Sequence, residues 1–92
     1  MPRAMPVRVL IPGPLRSYTA DHAVVSADGE SLDAVVGDLN RRYPGMRFRV
    51  IDEQGTIRRH IKFFVNGVQA TNLEPRLRDD DEVMIVCALS GG

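Results

Sequence analysis

The chain closes on Val83-Met84-Ile85-Val86-Cys87-Ala88-Leu89-Ser90-Gly91-Gly92. The first six of these residues are apolar and mostly branched or small, and they read as a strand. That strand passes through Leu89-Ser90 directly into two glycines. Glycine loses the most backbone entropy on ordering and has no side chain to pack, so a glycine tail adds little to a folded domain. A tail without side chains can enter a narrow slot, and it carries the unhindered carboxylate of Gly92 at its tip. A frayed end is the competing reading. The order of elements ahead of the tail decides between them.

Working back, residues 82–88 form the last strand and Asp79-Asp80-Asp81 the turn before it. Leu73 and Leu77 anchor a crossing loop around Pro75. Asn66-Gly67 is a strong hairpin signal, because both positions tolerate positive φ. It joins a strand at 61–65 to a short return at 68–70. Residues 46–60 show partial burial at Met46, Phe48, Val50 and Ile51 and a turn at 52–55, and they read as mostly irregular. Ser31 is a helix N-cap. Leu32, Val35, Val36, Leu39 and Tyr43 then follow helical spacing on one apolar face, with Asp33, Asp38, Asn40, Arg41 and Arg42 off it. Acid near the start and arginine near the end suit the helix dipole. Pro44-Gly45 ends this helix, the only one the pattern supports. Residues 7–11 and 22–26 read as a pair of strands, with a turn or loop over 15–21.

Strand, strand, helix, strand, short strand, final strand gives one helix to cover one face of a mixed sheet, a two-layer α+β domain. Parallel pairing of the first and last strands places both in the middle of that sheet. This is the ubiquitin-like β-grasp arrangement. The expected division is a β-grasp domain over 1–88 and a flexible C-terminal tail over 89–92.

Ninety-two residues make one domain, and a chain of this size buries only about 60–65% of its unfolded surface. Twelve basic and twelve acidic residues cancel, which argues against a nucleic-acid partner. Cys87 stands alone and forms no internal disulfide, which fits a reducing cytoplasm. Met1-Pro2-Arg3-Ala4-Met5-Pro6 lacks the apolar core of a signal peptide, and the longest apolar run is too short to span a bilayer. The expectation is a soluble, cytoplasmic protein with no membrane association.

The chain resembles the MoaD/ThiS family of prokaryotic sulfur carriers over nearly its whole length. The resemblance rests on Val9-Leu10-Ile11-Pro12, Gly29-Glu30-Ser31-Leu32, Arg58-Arg59-His60, Phe64-Val65-Asn66-Gly67, Leu77, residues 79–83 and the Gly-Gly tail. The stretch 58–67 is most similar to the branch serving cysteine or secondary-metabolite biosynthesis. Asp80 stands where the family commonly has glycine, and aspartate tolerates the left-handed geometry such a turn needs. The resemblance implies that a ubiquitin-activating-type adenylating enzyme uses ATP to join the Gly92 carboxylate to AMP. A sulfur donor protein or sulfide then displaces AMP to leave a thiocarboxylate. A downstream sulfur-accepting synthase takes the sulfur. The carrier itself is no enzyme and binds no cofactor. Ser90 and Gly91 belong to the reactive tail, whose four residues reach about 13–14 Å when extended.

Strand alternation leaves Leu10, Phe64, Met84 and Val86 on the face away from the helix. Such a patch is expected to dock the activating enzyme, against the alternatives of loop cover or weak self-association. Cys87 reads as a small buried hydrophobe rather than a sulfur relay. His22 and His60 have no ligand spacing, so no metal site is indicated. Residues 79–82 lack the ligand spacing of a calcium loop. Arg58-Arg59-His60 reads as a solvated cluster or a steering site for an acidic partner. No catalytic constellation is present. Two further functions remain open: the small subunit of molybdopterin synthase, and a ubiquitin-like modifier. Lys62, the only lysine, makes lysine-linked chains built on this protein improbable.

Overall fold

The computed structural model describes residues 6–88. Its described strands are β1 (Val7–Leu10), β2 (Val24–Ala27), β3 (Ile61–Val65), β4 (Val68–Ala70) and β5 (Glu82–Cys87). They form one mixed sheet in the order β2-β1-β5-β3-β4. β1 and β5 pair in parallel at the centre, and the remaining pairs are antiparallel. A right-handed crossover over one face is the usual way to connect parallel neighbours. Here α1 (Leu32–Arg42) supplies the cover. The architecture is the ubiquitin-like β-grasp that the sequence predicts.

Alternation along each strand builds the core. Val7, Val9 and Ile11 of the first strand region are buried, as are Ile61 and Phe63 of β3 and Val83 and Ile85 of β5. They meet Leu32, Val35, Val36 and Leu39 of α1. The N-terminus of α1 is strapped by the crossing loop. Leu32 and Asp33 donate their backbone N–H groups to the carbonyls of Pro75 and Leu73. Ala34 donates to the Ser31 hydroxyl. The amides of the first helical turn, which have no partner inside the helix, are thus satisfied. Leu77 is buried and Leu73 packs against the core, as expected of loop anchors.

Three local expectations are corrected. Residues 15–21 are not a plain loop, because Gly13–Thr19 forms a 3-10 helix. Pro14 presets φ for a first helical turn, and buried Leu15 holds the segment down. The second strand starts at Val24 rather than His22. Ala20 and Asp21 are left-handed, and His22 closes the resulting turn through its N–H on the Thr19 carbonyl. A second helix, α2 (Met46–Val50), occupies part of the stretch expected to be irregular. Met46 and Val50, four residues apart, are both buried. Asn40 Oδ1 accepts from the N–H groups of Gly45 and Arg47 and fixes how this turn starts. Ile51 then bridges Ile57.

Both turns flanking β3 and β5 follow their sequence signals. Asn66 and Gly67 have φ of 48° and 87°, the geometry of a tight hairpin. Asp80 has φ of 69° and so takes the left-handed position itself.

Candidate functional site

Strand pairing carries the site across the sheet. Leu10 lies opposite Met84, and Met84 lies opposite Phe64. Directly opposed residues point to the same face. These three therefore form one row on the face away from α1, the row expected from alternation. Val86 lies two positions further along β5, opposite Lys62 rather than an apolar residue. The row also extends beyond the expected set. Val24 pairs with Leu10 and is 54% exposed, and Gln69 pairs with Phe64 at the other edge. Val24 could have been found from sequence, since inward Val25 and Ala27 force it outward. Arg8 and Glu82 end this face one row away, as an ion pair at 3.6 Å.

β5 delivers the chain to one end of the sheet. Its last paired residue, Cys87, is opposite Ile61. The Ala88 N–H then donates to the His60 carbonyl at 2.7 Å. The tail residues Ser90, Gly91 and Gly92 lie outside the described residues. What the structure fixes is their point of departure, beside the run Arg58-Arg59-His60. A concavity of about 380 Å³ opens there, lined by Asp52, Thr56, Ile57, Arg58, Arg59 and His60.

Cys87 is half-buried. Burial pushes its thiol above the ordinary range, and the nearby positive charge of Arg49 opposes this only in part. A thiol kept protonated is a weak nucleophile. Among the described residues no group of three or more His, Cys, Asp or Glu is placed to hold a metal. No helix among them is long and apolar enough to cross a membrane.

The candidate site is thus a sheet face with an apolar row, beside a central strand whose last described neighbour, Ala88, lies at one end of the sheet. The ThiS family model matches residues 9–92, nearly the whole chain. The chain belongs to the ThiS family. It is 36% identical to the sulfur carrier protein CysO of Mycobacterium tuberculosis, over 96% of this chain and all of that protein. It is thus a homologue of that carrier. The crystal structure of M. tuberculosis CysO superposes with a TM-score of 0.85 at 34% identity, covering 90% of this chain and 99% of that one. A chain of the Amycolatopsis orientalis BexX/CysO complex gives a TM-score of 0.86 at 30% identity, covering 94% and 99%. The small archaeal modifier protein 1 of Methanosarcina acetivorans is also similar, with a TM-score of 0.78 at 26% identity and coverage of 96% and 97%. For this ThiS-family chain, the β-grasp body is therefore common ground between carriers and modifiers.

Proposed function

We propose that this protein is a sulfur carrier whose reacting group is the Gly92 carboxylate. The observation that carries this reading is the end-to-end similarity to CysO, with the family match running through the final Gly-Gly. In this scheme residues 1–88 are the body and 89–92 the tail.

A carboxylate resists attack because its charge repels nucleophiles and oxide leaves poorly. Adenylation removes both obstacles. A carboxylate oxygen attacks the α-phosphorus of ATP and expels pyrophosphate, leaving an acyl adenylate. Hydrosulfide then attacks the acyl carbon; where a donor protein delivers the sulfur as a persulfide, an acyl disulfide forms instead and a second thiol must cleave its S–S bond, leaving as a disulfide with the donor. The C–S bond forms, the C–O bond to AMP breaks, and AMP departs with the electron pair. The resulting thiocarboxylate sulfur is anionic at neutral pH and attacks an electrophile on a sulfur-accepting synthase. ATP is bound by the activating enzyme. The carrier contributes the acyl carbon and the surfaces that bring it into the enzyme, in the cytoplasm where such thiols stay reduced.

The apolar row Leu10, Met84 and Phe64, with Val24 and Val86 beside it, is the dock for that enzyme in this reading. Exposed apolar area that is continuous across strands suits a protein partner. The A. orientalis CysO complex with BexX supports the idea that such carriers form protein complexes.

Intact mass spectrometry after incubation with ATP, sulfide and a cognate activating enzyme tests the proposal. A gain of one oxygen-to-sulfur exchange at Gly92 is expected. No gain with a demonstrably active enzyme removes it. Similarity to an archaeal modifier protein favours a second reading, conjugation to other proteins. Covalent adducts joined through Gly92 to target lysines, without a thiocarboxylate, would select that one.

A further inference from the structure

Five of the eleven described basic residues are held in ion pairs. Arg8 meets Glu82, Arg41 and Arg42 meet Asp38, Arg47 meets Asp33, and Arg76 meets Glu30. Arg16 and Arg78 lack an acid partner among the described residues, but several other unpaired cations gather near the departure point of the tail. Arg49, Arg58, Arg59 and Lys62 make no ion pair with an acid among the described residues. Arg58 is occupied otherwise. Its Nε donates to the Phe48 carbonyl at 2.7 Å, and its guanidinium lies 4.6 Å over the Phe48 ring. Arg59 and Lys62 are exposed. Two carboxylates share this end of the molecule, Asp52 and Glu53. Asp52 is turned onto its own loop, where it accepts from the N–H groups of Gln54 and Thr56.

Three of these cations, Arg58, Arg59 and Lys62, form a rim. Arg58 and Arg59 line both concavities at the sheet end, of about 380 and 200 Å³, and the smaller one adds Lys62. Lys62 itself is opposite Val86, on the face that carries the apolar row. The Ala88 N–H bond to the His60 carbonyl places the last described residue beside this rim. We infer that the rim of Arg58, Arg59 and Lys62 is a second docking surface, which fits an acidic protein segment at the mouth of the cleft that takes in the tail.

The inference rests on the carrier reading. A partner that swallows only four residues must bring its cleft mouth to within about 13–14 Å of Ala88. Arg59 and Lys62 are the charges it meets there. Exposed charges of this kind add little individually to affinity. Together they raise encounter rates by roughly 10- to 1,000-fold and orient the approach. A nucleic-acid occupant is disfavoured, because twelve basic and twelve acidic residues leave the rest of the surface without a basic excess.

Two measurements on the full chain decide this. In the first, the 15N-labelled protein is titrated with a hexaglutamate peptide at low ionic strength. Amide shifts confined to residues 58–62 and 86–88 are expected. They should vanish at about 1 M salt, weaken in Arg59→Gln/Lys62→Gln, and persist in Arg76→Gln. Absent or scattered shifts overturn the inference, as does a short RNA that shifts the same amides more strongly. In the second, association with the activating enzyme is followed by stopped flow at two ionic strengths. The double variant should associate roughly tenfold more slowly at low salt and lose most of its salt dependence. An unchanged rate with an active wild type overturns the inference. If the wild type is never adenylated, the carrier reading fails, while the peptide titration still decides whether the rim is an acid-binding surface.

Discussion

Asn66 Nδ2 donates to Asp81 Oδ1 across 3.1 Å, joining the β3–β4 hairpin to the residue just before β5. The same Asn66 side chain accepts from the Glu82 N–H at 3.0 Å, and its own N–H reaches the Glu82 carbonyl. Asp81 in turn accepts the Arg78 N–H on Oδ2 and offers its backbone carbonyl to the Arg8 N–H. Three of the five described strands are tied together at the start of the strand that carries the tail.

This node has a pH signature. Hydrogen bonds from the Arg78 backbone and then the Asn66 side chain hold the Asp81 carboxyl below its ordinary 3.8. A carboxyl whose folded value is depressed favours the folded state wherever it is ionised. Its contribution is present above about pH 4 and is lost as pH falls through the folded value. The stability difference between wild type and Asp81→Asn should therefore be constant from pH 5 to 7 and narrow below pH 4. Urea titrations at several pH values measure it. A difference that widens on acidification would show the sign to be wrong.

Two glycines at α1 should respond in opposite directions to alanine. A Cβ on Gly29 would sit 2.7 Å from the Val35 nitrogen and 2.8 Å from the Ala34 carbonyl carbon, both backbone atoms of the helix. Backbone cannot move aside without shifting α1, so Gly29→Ala should cost about 1–3 kcal/mol. Gly37 lies inside α1, and a Cβ there meets nothing within 4 Å. Gly37→Ala should instead add about 0.5–1 kcal/mol by removing backbone freedom from the unfolded chain. Urea midpoints of the two variants moving in the same direction would contradict this account.

The contrast between legible and hidden features follows from the range of the forces involved. Period-two alternation in β1, β3 and β5 and the Ser31 cap are local signals, and the structure follows them. α2 was hidden because Met46-Arg47-Phe48-Arg49-Val50 alternates apolar and basic residues, which suits a strand as well as a helix. Its helical form depends on Asn40 and on burial of Met46 and Val50 beneath α1, neither visible locally. Asp38 is the clearest miss. Helical spacing put it off the apolar face, yet it is buried, with Oδ2 accepting from the Asp28 N–H at 2.8 Å and Arg42 Nε at 2.7 Å. The Asp28 partner lies ten residues away, beyond what a helical pattern reports. At the site, the whole apolar row was readable, Val24 included, because alternation with Val25 and Ala27 turns it outward. What was hidden is the start of its strand, two residues later than expected, after left-handed Ala20 and Asp21 that no side chain announced.

Met84 is the central member of the apolar row, 37% exposed between Leu10 and Phe64. Its exposure makes Met84→Glu tolerable to the fold, while a charge there is costly to bury under a partner. Removing a central contact of an interface typically weakens binding by more than 1 kcal/mol. The variant should raise KM for the activating enzyme roughly tenfold, with a melting temperature close to that of wild type. Phe64→Asp should act in the same direction. Unchanged adenylation kinetics in both folded variants would exclude this face as the dock.

Cys87 precedes the tail by two residues, which invites a role in sulfur transfer, and its environment argues against one. Burial pushes its thiol up, with Arg49 opposing only in part. The reactive thiolate is therefore scarcer than in an ordinary cysteine at the same pH. Two outcomes follow. Alkylation of Cys87 by iodoacetamide near neutral pH should be slower than that of free cysteine under the same conditions. In the reconstituted reaction with ATP, sulfide and the activating enzyme, Cys87→Ala should gain the same oxygen-to-sulfur exchange as wild type. A variant that is still adenylated yet gains no sulfur would make Cys87 the relay after all. Retention of the exchange leaves the acyl carbon of Gly92 as the atom on which the incoming sulfur acts.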